Sequence, residues 1–101
     1  MSPDLSAIFA LRLSTGRKLM LIAMIHAADE HGWYFGHASA LARTVQMNVP
    51  NATESLRQLE IRKLIHPSPD NKPGTALRGW RVDLKLTIGR KEIADGVALD
   101  R

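Results

Sequence analysis

A chain of 101 residues with 45% apolar and 24% charged residues has room for one domain with a modest core, and too little for two. It contains no cysteine, which excludes disulfides, thiol nucleophiles and thiolate zinc sites. Its net charge of +4 favours an acidic partner such as nucleic acid without demanding one.

Residues 4–13 are apolar with one charge near each end and suit either a short helix or an extended arm. The hydroxyls of Ser14 and Thr15 offer a cap for a helix from about Gly16 to Glu30. Its apolar residues wrap most of the circumference, so it is expected to be a central scaffold buried on several sides. His31-Gly32 should end it, the glycine taking a left-handed conformation. Trp33-Tyr34-Phe35 reads as a short aromatic strand packed in the core. A short helix over Ala38 to Thr44 follows, with Leu41 and Ala42 inward, then a turn at Val45-Gln46-Met47.

Asn48 is placed to cap a longer helix, with Pro50 in its first turn, where a missing N–H costs nothing. In that helix Val49, Ala52, Leu56, Leu59 and Lys63 share one face, while Pro50, Asn51, Glu54, Arg57, Gln58 and Ile61 share the other. Leu64-Ile65-His66 begins a strand, and Pro67 to Gly79 reads as a loop. Alternation from Trp80 to Ile88 predicts one half-buried strand. Residues 89–101 read as a tail. Short helix, tight turn and longer helix make a helix-turn-helix, and the order of elements predicts an α+β fold of three helices with a small antiparallel β-hairpin wing over residues 1–88.

These residues resemble the winged helix-turn-helix family of plasmid and phage replication initiators and related bacterial regulators. The resemblance rests on Arg17-Lys18-Leu19, on Ala27 to Trp33, on Ser39-Ala40-Leu41-Ala42-Arg43, on Ser55 to Glu60 and on Lys63-Leu64-Ile65, and it covers roughly residues 6–86. Three departures stand out. Gln46 replaces the usual turn glycine, Val49 and Pro50 replace basic or polar residues after the cap, and Glu54 stands where a base is common. The resemblance implies a double-stranded DNA partner, with Asn51, Thr53 and Arg57 toward base edges or phosphates and Asn48 at the helix mouth.

From Arg57 to Lys91 nine basic residues face three acidic ones, so this segment carries +6 and the rest of the chain −2. Lys72 and Arg78, placed in the loop before the last strand, would lie on the backbone or minor groove. Arg81 and Lys85 would extend them as a strip, and Arg43 is a further contact. Arg17 and Lys18 stand at a helix start, where cations are disfavoured, which suggests a partner rather than a stabilising role. The short reading surface favours a homodimer through residues 4–13, with Ile61 as a possible addition.

The histidines His26, His31, His37 and His66 have no ligand spacing, so no metal is expected. There is no nucleophile–base set and no glycine-rich phosphate loop, so neither an enzyme nor a cofactor is expected. The longest apolar run, Leu19 to Ile25, is far short of the roughly 20 residues of a membrane span. The N-terminus lacks a secretion pattern, so a cytoplasmic protein without membrane contact is expected. The expected role is transcription regulation, replication control or partition in plasmid, phage or mobile-element biology. The alternative is a winged-helix interaction or adaptor module with only non-specific phosphate binding.

Overall fold

The computed structural model describes residues 1–72 and 77–88; the expected tail, residues 89–101, lies outside them. In chain order the elements are β1 (Ser2–Pro3), α1 (Leu5–Phe9), α2 (Thr15–Ala27), β2 (Trp33–His37), α3 (Ala38–Thr44), α4 (Val49–Ile61), β3 (Ile65–Pro67), β4 (Leu77–Val82), a 3-10 turn (Leu84–Leu86) and β5 (Thr87–Ile88). The apolar segment 4–13 therefore resolves as a fourth helix, one turn long. Asp4 caps it by accepting from the Ala7 N–H, and Ile8 is fully buried.

Ser14 opens α2 by accepting from the Arg17 N–H at 3.4 Å. The helix stops at Ala27, three residues before the expected end. Ala28 is extended, and the Asp29 carboxylate then accepts the N–H groups of both His31 and Trp33 at 2.9 Å. These bonds, that to Trp33 foremost, hold the Asp29 carboxyl below its ordinary pKa. The break is thus an Asx turn. Gly32 is left-handed (φ 86°), but it sits inside that turn rather than capping the helix. Met20, Leu21, Met24 and Ile25 form the single buried face of α2. Leu19 is exposed, so the helix is not buried all round as expected.

Helix α3 has the expected bounds, and α4 begins as expected, with the Asn48 side chain accepting from the Asn51 N–H at 2.8 Å. Both helices end in the same motif. The Met47 N–H reaches the Ala42 carbonyl and the Gln46 N–H that of Arg43; likewise Leu64 reaches Leu59, and Lys63 reaches Glu60. This is the Schellman arrangement, whose left-handed residue is usually glycine. Here it is Gln46 (φ 56°) and Lys63 (φ 59°). A side chain with a Cβ is strained there, so Lys63→Gly should raise stability by about 0.5–1 kcal/mol despite the added freedom of the unfolded chain. Urea unfolding checks this, and a loss of stability would refute the reading.

The buried face of α4 is Ala52, Ser55, Leu56 and Leu59. It is rotated from the expected face, because Val49 is exposed and Lys63 lies beyond the helix end. Ser55 is buried with its hydroxyl 3.8 Å from the Met47 sulfur.

The main sheet is antiparallel in the order β2-β4-β3. Tyr34 and Trp80 pair across it and stack on its inner side, 6.3 Å apart, and Ile65 pairs with Val82. Burial raises the Tyr34 pKa. Near the end of β3, Asn71 takes the place of a strand neighbour: its amide donates to the Gly79 carbonyl (2.9 Å) and accepts the Gly79 N–H (2.8 Å). The expected single strand Trp80–Ile88 is broken at Asp83, whose carboxylate accepts the Lys85 N–H and starts the 3-10 turn. Beyond the turn, β5 pairs antiparallel with β1. Helices α3 and α4 joined by a tight turn, and flanked by this sheet, are a winged helix-turn-helix, α+β as expected.

Candidate nucleic-acid interface

Helix α4 presents three distinct surfaces around its buried face. Its outward face carries Pro50, Glu54, Arg57 and Ile61, all exposed. There Arg57 is bound to Glu54 by a two-pronged ion pair, Nε to Oε2 at 2.9 Å and a terminal nitrogen to Oε1 at 2.7 Å. Gln58 adds a third bond at 3.2 Å. These donors, Arg57 first, hold the Glu54 carboxyl down to about 2, and the carboxylate in turn raises the Arg57 pKa. Arg17, at the start of α2, also lowers the Glu54 pKa through its charge. Arg57, one of the expected contact residues, is therefore paired with its neighbour one helical turn away.

Near the start of α4, Asn48 is occupied as the cap. Asn51 and Thr53 are exposed and make no side-chain hydrogen bonds among the described residues. The third surface faces the wing. Val49, Thr53, Leu56, Arg57 and Glu60 form one wall of a cleft of about 570 Å³, and Pro67, Asn71, Arg78 and Trp80 form the other. His37, Ala38 and Ser39 close its end. Arg78 is half-buried and has no side-chain partner among the described residues.

Three of the expected contact residues, Thr53, Arg57 and Arg78, thus meet in one cleft. Arg78 arrives there from strand β4, not from the expected loop, and on the same side of the strand as Trp80. Arg81, three residues on, projects from the opposite side, where its Nε donates to the His31 carbonyl at 3.2 Å. The expected strip of Arg78, Arg81 and Lys85 does not form, since Lys85 lies in the 3-10 turn. Lys72 is exposed next to Asn71, and Arg43 is exposed in the last turn of α3. Neither lines the cleft.

Lys18 has a partner within the chain: its ammonium donates to the Phe9 carbonyl at 2.9 Å and ties α1 to α2. Arg62, at the end of α4, donates to the Arg12 carbonyl in the α1–α2 loop at 3.2 Å. The sequence reading missed Ser39 and Asn71 as parts of the cleft, because both reach it through contacts distant in the chain.

No protein-family model matches the chain, and no curated protein matches it. Among solved structures it is similar to a possible transcriptional regulator from Methanosarcina mazei Go1. The likeness covers 94% of this chain and 74% of that one, with a TM-score of 0.56 and 13% sequence identity. At that identity the likeness is one of fold. No helix among the described residues is long and apolar enough to cross a membrane.

Proposed function

We propose that this chain binds double-stranded DNA as a regulator, of the plasmid, phage or mobile-element kind, acting in transcription regulation, replication control or partition. The observation that carries the reading is the meeting of Thr53, Arg57 and Arg78 in the cleft between α4 and the wing. A helix-turn-helix presents the start of its second helix to the major groove. Asn51 and Thr53 lie there with unengaged side chains, and Asn48 stands at the mouth. Arg78, a cation facing the cleft, would meet a backbone phosphate beside them. Arg43 and Lys72 would touch phosphates at the periphery, and Arg81 lies on the wrong side of the sheet to join them. The protein would work by binding alone, with no catalytic step and no cofactor.

A DNA mobility or anisotropy series across salt concentrations tests this. Arg78→Ala should weaken every duplex alike and reduce the salt slope by about one. Undetectable duplex binding at low salt would overturn the proposal. A homodimer rests on Leu5 and Phe9 of α1, 46% and 60% exposed beside the buried Ile8. Sedimentation equilibrium reads the assembly directly, and a monomer mass at every concentration would exclude it.

A second reading has its own support. Val49 and Ile61 are 47% and 58% exposed on α4, and Arg57 is neutralised. Such a helix suits a protein-interaction or adaptor surface, with Arg78 gripping phosphates unselectively. A preferred duplex recovered by selection from random sequence would decide against it.

A further inference from the structure

The three consecutive aromatic residues of β2 cannot all enter the core, because neighbouring side chains of a strand point to opposite faces. Tyr34 goes inward onto Trp80, while Trp33 and Phe35 go outward. The two outer rings are neighbours in nearly parallel planes, with centroids 5.8 Å apart and planes 17° from parallel. Phe35 is 62% exposed, although burying a ring of that size is favourable.

Gly79 lies directly across from Phe35 on β4. A Cβ at Gly79 would sit 2.5 Å from Phe35 Cε1 and 2.7 Å from Cδ1. The ring therefore rests against the β4 backbone, with its other side open to solvent. A glycine inside a strand weakens it and marks a close approach. Here it makes room for the ring, and the Asn71 amide bonded to both its N–H and its carbonyl holds that backbone in place.

The border of this surface is polar and cationic. Arg81 lies across from Trp33, and His66 lies across from Arg81. Among the described residues, the side chains on this face of the three strands include no carboxylate. A flat apolar surface beside an arginine matches a polymer with flat apolar groups and a negative backbone. Stacking needs bases whose faces are open, which a duplex does not offer.

We propose that the outer face of the wing sheet is a stacking platform for single-stranded DNA, with bases on Phe35 and Trp33 and phosphates at Arg81 and His66. The choice of DNA over RNA rests on the duplex reading above, since strand opening next to a bound duplex supplies the single strand. The platform faces away from the cleft, so the two ligands use different residues.

Fluorescently labelled dT20, U20 and a random duplex, each titrated with the full chain at low salt, test the proposal. Wild type should bind dT20 and quench tryptophan emission, the second tryptophan, Trp80, being only 5% exposed. Phe35→Ala should lower dT20 affinity on the order of 10-fold and leave duplex affinity unchanged. Phe35→Leu keeps an apolar side chain without a ring and should lose as much. Both change an exposed residue, and unaltered thermal unfolding confirms the fold.

Arg78→Ala should show the reverse pattern. Absent dT20 binding, or dT20 affinity indifferent to Phe35, would overturn the platform. So would tighter binding of U20 than of dT20, or a shift in sedimentation as the sole effect of Phe35→Ala, which would mark a subunit contact. Loss of duplex binding alone, with Phe35-dependent dT20 binding intact, would sink the duplex reading and leave the platform standing.

Discussion

Leu59→Ala is expected to destabilise the domain by about 3 kcal/mol, within the range for truncating a buried leucine. Leu59 is fully buried, and its carbonyl accepts the Leu64 N–H that closes the Schellman motif at the end of α4. The cavity would therefore open beneath the helix that carries Asn51, Thr53 and Arg57. For a domain of this size, each kcal/mol lowers the melting temperature by about 4–8 °C, so a fall of about 12–24 °C should follow. Thermal unfolding followed by circular dichroism checks it. A fall of only a few degrees would show that α4 is anchored elsewhere. Among molecules still folded, duplex binding should also weaken, because Asn51, Thr53 and Arg57 are all carried on that one helix.

The second large effect is a gain. Glu54→Gln should raise duplex affinity on the order of 10-fold at low salt and steepen the salt slope by about one. The substitution frees the Arg57 guanidinium from its two-pronged partner and removes a negative charge from the proposed DNA-facing side of α4. It also leaves the nearby positive charge of Arg17 uncompensated. In the cycle with Arg57→Ala, most of the gain should vanish, since a freed arginine is its source. Unchanged or weaker duplex binding by Glu54→Gln would mean that this face of α4 does not meet DNA.

Acid cannot substitute for the mutation within a useful range. The Glu54 carboxyl titrates at about 2, below its ordinary value of 4.5. A depressed carboxylate contributes above its unfolded pKa, and that contribution fades only as pH falls from there through the folded one. At neutral pH the pair is therefore permanently ionised.

What the sequence disclosed well was local. The bounds of α3, the Asn48 cap and the place of Pro50 each depend on residues within one or two turns of each other. The buried face of α4 was less legible. Ser55 is polar, yet it is buried beside the Met47 sulfur, while Val49 is apolar and stands in the open. Hydrophobic periodicity ranks those two residues the wrong way round. The left-handed turn at Lys63 was not legible, because a lysine carries no local sign of a positive φ.

The wing shows a different limit. Leu84 and Leu86 continue the alternation begun at Trp80, so nothing periodic marks the break at Asp83. The strand that receives Thr87 and Ile88 lies at the other end of the described chain. Placing Arg78 in a loop erased the information that would have separated it from Arg81. Three residues apart on one strand, the two must face opposite ways. The outward turn of Trp33 and Phe35 follows from the same rule, and reading the aromatic triplet as core overlooked it.

The two-rung ladder between β1 and β5 joins the extremities of the described chain. Closing a loop of that span carries a large entropic cost, and two residue pairs with the Asp4 N–H bond to the Leu86 carbonyl repay it. The ladder should thus be the last piece to zip and the first to fray. Helix α1 follows it, held by the buried Ile8 and by the Lys18 bond to the Phe9 carbonyl, with Leu5 and Phe9 facing outward. A terminal segment with so short a ladder is the piece that two copies of a chain can exchange at least cost, each docking its partner's Ile8 in place of its own.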